Sequence, residues 1–203
     1  LDSLSLAAVA AGSFGMSKPA TCNGRNLGYR KQAFQEVNGF EEIKYYISGD
    51  DDLFLHLITS RTNWKTRYAF DKNALVKSQV PANFKQFSNQ RIRHASKGFH
   101  YKSWFTLLLT VIYLFNLLLV ILLPVSVLLS NFFIYWLSCF LVKSISEFLL
   151  MYKFAREFEY TYLFKLFPIA AILHPIYVVV FGFWGQFGKF KWKESSYSTE
   201  IAN

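Results

Sequence analysis

Residues Trp104–Ser130 read WFTLLLTVIYLFNLLLVILLPVSVLLS, a stretch without one charged side chain. An α-helix advances about 1.5 Å per residue, so about 20 apolar residues cross the hydrocarbon of a bilayer. A chain of 203 residues is too short to bury so long a helix on all sides in a soluble core. Pro124 fits this reading, because membrane helices tolerate proline. A second run, Phe132–Phe154, is long enough to span and contains Lys143 and Glu147. These lie four apart on one helix face, where they can neutralise each other inside a bundle. A third run, Leu163–Phe187, carries Lys165, Pro168, His174 and Pro175, with His174 read as a helix-contact residue. Trp104, Tyr135, Trp136, Tyr152, Tyr160, Tyr162, Trp184 and Trp192 cluster near the ends of the runs, as interfacial anchoring predicts.

Composition divides at the same place. Residues 1–103 hold 15 Lys/Arg against 8 Asp/Glu, and residues 104–203 hold 7 against 5. Over the whole chain 53% of residues are hydrophobic and 17% charged, below the roughly 25% charged of a soluble domain. That excludes disorder and a plain soluble fold. Cys22 and Cys139 cannot build a disulfide framework, and no Cys/His spacing fits a zinc site. The three expected regions are 1–103, 104–188 and a basic tail from 189 to 203. Arg91, Arg93, Lys97 and Lys102 precede the first run, and Lys153 and Arg156 follow the second. Positive-inside counting therefore places the first 103 residues and the 153–165 connection in the cytoplasm. Lys189, Lys191 and Lys193 would draw the tail inside as well. Three full crossings cannot satisfy both ends, so either the third run is a hairpin broken at its prolines or the tail is an exception. Leu4–Gly15 is apolar but too short to span, and lacks the basic start of a signal peptide. The first residue is Leu1, and the chain reads as a piece of a longer protein.

In the first region, Lys31–Val37 has helical composition and stops at Asn38-Gly39. Tyr45–Ser48 is β-prone and breaks at Gly49, and a helix is expected from Asp50 to about Thr59. Thr66–Phe70 and Ala74–Gln79 read as short strands around an Asp71-Lys72-Asn73 turn, and a helix is expected from Asn83.

Two clusters carry chemistry. Asp50-Asp51-Asp52 places three carboxylates side by side, which calls for a cation, a helix N-terminus or a catalytic base with a raised pKa. The spacing does not match an EF-hand loop, which uses alternate positions. An exposed acidic helix start would explain the run equally well. Gln90, Arg93 and His94 stand at i, i+3 and i+4 and share one helix face. Guanidinium beside Gln and His suits phosphate oxygens and sugar hydroxyls. A basic helix against anionic lipid headgroups would use the same residues, with Lys97 and Lys102.

The order Cys22-Asn23-Gly24-Arg25-Asn26-Leu27 with Tyr29-Arg30, then Val37-Asn38-Gly39-Phe40, Gly49-Asp50-Asp51-Asp52-Leu53 and Gln90-Arg91-Ile92-Arg93-His94 before apolar runs resembles a known family. It is similar to the C-terminal portion of membrane-associated family 2 glycosyltransferases, the group containing cellulose, chitin and hyaluronan synthases. The resemblance implies a partial α/β GT-A domain followed by a transmembrane helical region. It also implies an inverting transfer of sugar from a nucleotide-diphosphate donor. By position, Asp51 matches the general base and Asp50 its acidic neighbour, and Cys22, Asn23, Gly24 and Asn26 match the acceptor-site loop. Gln90, Arg91 and Arg93 match a Gln-x-x-Arg-Trp motif whose basic members face the diphosphate, with His94 in place of the tryptophan. The family's divalent cation (Mg or Mn) is expected to have its ligands upstream of Leu1, so no residue here is assigned to metal.

The reading that follows is an integral-membrane enzyme of the bacterial cytoplasmic (inner) membrane, its catalytic part facing the cytoplasm. Three runs are few for a polymer-conducting channel, which favours a lipid-linked or envelope-glycan acceptor over processive secretion. The 203 residues alone are expected to be inactive, and a longer parent active. The competing class is a non-catalytic membrane scaffold or degenerate transferase whose basic segment binds anionic lipid. Nucleic-acid binding is not expected, since membrane topology accounts for the placement of the basic residues.

Overall fold

In the computed structural model, residues 1–46, 48–101, 103–192 and 195–198 are described. Ile47, Lys102 and Lys193, which enter the sequence reading, lie outside them. Among these residues seven α-helices follow in chain order: α1 (Asp2–Gly15), α2 (Lys31–Glu36), α3 (Asp52–Arg61), α4 (Phe84–Ala95), α5 (Ser103–Leu128), α6 (Ser130–Glu157) and α7 (Phe167–Phe187). Strands β1 (Lys189–Trp192) and β2 (Ser195–Ser198) close the described chain as an antiparallel hairpin. Two compact units are distinguished, one of Leu1–Ala8 with Leu107–Val180, the other of Val9–Thr106 with the chain from Phe181 onward.

The expected α/β GT-A fold is overturned. Among the described residues no strand occurs before Lys189, and the first hundred residues form helices, short 3₁₀ turns and irregular chain. The stretch Thr62–Phe70 shows why the expectation failed. From Thr62 to Ala69 the side chains alternate from half-buried (Thr62, Trp64, Thr66, Tyr68) to exposed (Asn63, Lys65, Arg67, Ala69), as in a strand with one covered face. Alternation places side chains, but a strand exists only where a neighbouring backbone supplies the ladder, and none does so here. Ala74–Gln79 forms no strand either, and beyond half-buried Ala74 its residues are all exposed, so it has no covered face at all. Lys72–Ala74 is a 3₁₀ turn capped by Asp71, whose carboxylate accepts from Asn73 N–H at 2.7 Å.

Local signals were obeyed where the chain could satisfy them alone. Helix α2 ends through Asn38 and Gly39, both at positive φ (56° and 62°), with Gly39 N–H donating to Phe34 O at 2.8 Å. This is the left-handed stop that glycine permits. The Asn83 side chain accepts from Gln86 N–H at 2.9 Å to start α4, while Gln86 Oε1 accepts from Ala82 N–H at 2.9 Å. Ala33, Val37, Phe54, Leu57 and Ile58 form a small core beneath α2 and α3, with Phe34, Ile43 and Trp64 packed on it. Rings at Phe34, Phe40 and Phe54 meet at centroid distances of 5.1–5.7 Å, in the favourable range for aromatic pairs.

Among the described residues, three helices are long and apolar enough to cross a membrane, over Trp104–Leu128, Asn131–Glu157 and Thr161–Phe187. Their outward faces carry Leu107, Val111, Leu118, Val142, Leu149 and Ile172, all exposed. That much exposed apolar surface suits contact with lipid rather than water. Pro175 lies inside α7, which runs unbroken to Phe187. The hairpin alternative for the third run is therefore not what the backbone adopts. Lys143 and Glu147 pair as expected, with Nζ 2.7 Å from Oε2. His174 joins them, Nδ1 lying 3.0 Å from Glu147 Oε1 and 3.0 Å from Lys143 Nζ. A charge pair and an imidazole are thus satisfied among themselves between α6 and α7.

Candidate active site

The three adjacent carboxylates have three different environments. Asp50 is exposed. Asp51 caps α3: Oδ1 accepts from Asp52 N–H at 2.8 Å and Oδ2 from Gly24 N–H at 2.9 Å, and 19% of its side chain stays open. Asp52 is buried in the first turn of the helix. Its Oδ1 accepts from Thr21 Oγ1 at 2.7 Å and Cys22 N–H at 2.8 Å. Its Oδ2 accepts from Lys97 Nζ at 2.7 Å and Tyr101 OH at 3.1 Å. Four donors, one of them cationic, meet the hydrogen-bonding demand of a buried carboxylate.

Titration behaviour follows from these contacts. Burial by itself would raise the Asp52 carboxyl, but Lys97 together with the hydrogen bonds from Cys22 N–H and Thr21 outweighs it and holds Asp52 below the ordinary carboxylate value. Burial, and then the Asp52 charge, pushes the Tyr101 hydroxyl well above its usual range, so it stays a donor. Cys22 is pushed up by burial and by Asp52 and Asp51, which leaves a thiol rather than a nucleophilic thiolate. His94 falls to about 4, first because it is buried and then because Lys97, Arg91 and Arg93 repel a second cation. Its ring is neutral at pH 7.

A pH prediction arises here, with its sign. Both Asp52 and His94 have folded values below their unfolded ones, so between those values the unfolded chain binds more protons. The stability due to His94 is complete above pH 6.5 and lost as pH falls toward 4. The part due to Asp52 follows below 3.8. The melting temperature should therefore decline steadily from pH 7 to pH 4, by an amount on the order of 2 kcal/mol in stability. A His94→Phe variant should show a flatter profile; identical slopes would remove His94 as the cause.

The expected site residues are partly gathered. Cys22, Gly24, Asp51 and Asp52 meet directly, because the 21–24 loop lays two N–H groups and a hydroxyl on the two carboxylates. Asn23 turns inward to its own loop, its side chain accepting from Arg25 N–H at 3.1 Å. Asn26 points elsewhere, donating to Ala74 O at 2.7 Å. On α4, Gln90, Arg93 and His94 are half-buried, whereas Arg91 is buried with its guanidinium 5.6 Å from the Phe87 ring. Arg93 feels the charges of Asp51, Asp50, Arg91 and Arg25; burial lowers its pKa and the two carboxylates oppose that. The guanidinium stays charged.

Sequence reasoning missed Thr21, Lys97 and Tyr101. Lys97 was grouped with basic residues facing lipid headgroups, yet it is buried against Asp52. The run of three carboxylates was the signal that could have found it, because two of them at a helix start need a nearby cation. Among the described residues no group of three His, Cys, Asp or Glu is placed to hold a metal ion. Asp52, moreover, has its oxygens engaged by protein donors. The described residues of this site do not form a divalent-cation site.

No curated protein and no solved structure matches the chain. A protein-family model described as Glycosyl transferase family group 2 matches residues 7–184. With that match covering most of its length, the chain belongs to the family 2 glycosyltransferases.

Proposed function

We propose that the protein transfers a sugar, with inversion, from a nucleotide-diphosphate donor to a lipid-linked or envelope-glycan acceptor at the cytoplasmic face of a membrane. Family membership implies a glycosyl donor and an acceptor in general; the remainder is this reading. Asp51 is its general base. The acceptor hydroxyl loses its proton to the Asp51 carboxylate as its oxygen attacks the anomeric carbon, and the diphosphate departs from the opposite face. Arg93 with Gln90 receives the diphosphate, and the 22–26 loop flanks the acceptor. The neutral His94 ring offers a flat face to a sugar. Arg91, packed over Phe87, supports α4 from below.

One observation carries this reading: of three neighbouring carboxylates, only Asp51 is both held in place and partly open. Its oxygens each accept one backbone hydrogen bond and retain a further lone pair for a substrate proton. In membranes carrying the full natural protein, Asp51→Asn should lower transfer by about 10²- to 10⁴-fold while donor binding persists. Turnover near that of the wild type would remove Asp51 from the role and bring forward a scaffold function.

A further inference from the structure

Lys97 lies just beyond α4, in the connection to α5, and only 4% of its side chain is accessible. Its ammonium is 2.7 Å from Asp52 Oδ2 and 3.6 Å from Asp51 Oδ1. The first contact is a buried ion pair. The second reaches the oxygen of Asp51 that also accepts from Asp52 N–H, on the side away from the Gly24 contact. One cation therefore sits against both members of an adjacent carboxylate pair whose mutual repulsion would otherwise turn the more exposed one outward. Asp50 adds a further negative charge to the same turn, and Arg93 and Arg25 bring positive charge from α4 and the 22–26 loop.

The backbone makes room for this arrangement. Gly49 has φ of 103°, and a Cβ there would lie 2.8 Å from Lys97 Cδ and 3.0 Å from Leu53 Cδ1. The lysine stem thus runs through space that only a glycine leaves open. Gly49 O also accepts from Leu53 N–H at 2.7 Å, so the same residue opens α3. The path of Lys97 and the start of the acidic helix are built together.

From this geometry we infer that Lys97 is a positioning residue for Asp51, holding the carboxylate turned toward the acceptor side, in addition to pairing with Asp52. The inference rests on Asp51 being the base in the proposed transfer. A lysine that served only Asp52 would be dispensable once Asp52 is made neutral. A lysine that also orients Asp51 would not.

The experiment compares wild type, Asp51→Asn, Lys97→Met and the double variant Asp52→Asn/Lys97→Met in membranes carrying the full natural protein. Uridine- and guanosine-diphosphate sugars serve as donors. Lys97→Met alone strands a buried carboxylate and can fail to fold, whereas the double variant removes both charges together. The expected result is a double variant with near-native melting temperature and unchanged donor KM, but kcat lower by about ten- to a hundredfold. A double variant with wild-type kcat overturns the inference and leaves Lys97 a structural partner of Asp52. If Asp51→Asn transfers like wild type, the base assignment has failed, and if wild type transfers none of the sugars, the proposed transfer itself has failed; this inference falls with either. That failure is read without any Lys97 variant, so the two are distinguishable.

Discussion

Replacing Asp52 by alanine is expected to destabilise the protein by about 3–5 kcal/mol, the range for breaking a buried ion pair from one side. The reason lies in what remains behind. Lys97 Nζ would stay buried with Asp51 Oδ1, at 3.6 Å, as its carboxylate neighbour. Thr21 Oγ1, Cys22 N–H and Tyr101 OH would each lose an acceptor. Unsatisfied buried donors add their own desolvation cost. Because those donors come from the loop before α2 and the segment before α5, and meet on a residue that opens α3, the loss should loosen the whole site. The melting temperature in detergent should fall by roughly 10 °C, at about 2–4 °C per kcal/mol for a chain of this size. The Asp52→Asn/Lys97→Met pair should recover most of that loss. An Asp52→Ala protein melting within 2 °C or so of wild type would mean that the buried pair contributes little, and the site would need another account.

The second large effect is expected at Gly185, in the last turns of α7. A Cβ built there would lie 2.3 Å from Ala95 Cβ and 2.9 Å from Ala95 C, distances no relaxed pair of atoms adopts. The obstacle is backbone, so α7 and α4 must separate. Their approach carries other contacts with it. Gln186 Nε2 donates to Ala95 O at 2.8 Å, and Phe181 meets Phe87 edge to face at 5.8 Å. Gly185→Ala should therefore cost about 1–3 kcal/mol through overpacking. On the proposed role of Gln90 and Arg93 in receiving the diphosphate, it should also weaken donor binding. Adding Ala95→Gly removes the shortest of the contacts, so the double variant should be more stable than the sum of the two single changes predicts. Strict additivity, or a Gly185→Ala protein as stable as wild type, would show that the helices are not packed so closely.

How much of this was legible in the sequence depends on the range of the interaction concerned. Features settled within a few residues could be read directly. The uncharged length of Trp104–Ser130 required a long helix, and Asn38-Gly39 ended α2 because only a left-handed residue can end it there. Asn83 opened α4 with a side chain that reaches three residues ahead. The i, i+4 spacing of Lys143 and Glu147 produced their ion pair. The family resemblance belongs here too, since it was read from short motifs in a fixed order, and the family match over residues 7–184 agrees with it. The strands expected at Thr66–Phe70 and Ala74–Gln79 belong to the other kind. The alternation from Thr62 to Ala69 was real, but a ladder needs a partner that local sequence cannot supply.

The site itself was divided by tertiary structure. Asp50, Asp51 and Asp52 are chemically identical neighbours, and nothing in their order says which is exposed, which caps the helix and which is buried. That was decided by the 21–24 loop, about 30 residues earlier, and by Lys97, 45 residues later. Burial and charge pairing depend on distance in space rather than along the chain. The sequence by itself therefore determined the three long apolar helices, the stop of α2, the start of α4 and the family. Only the folded chain decided that the first hundred residues carry no sheet among those described, that Asn26 turns to Ala74, and that one lysine serves two carboxylates.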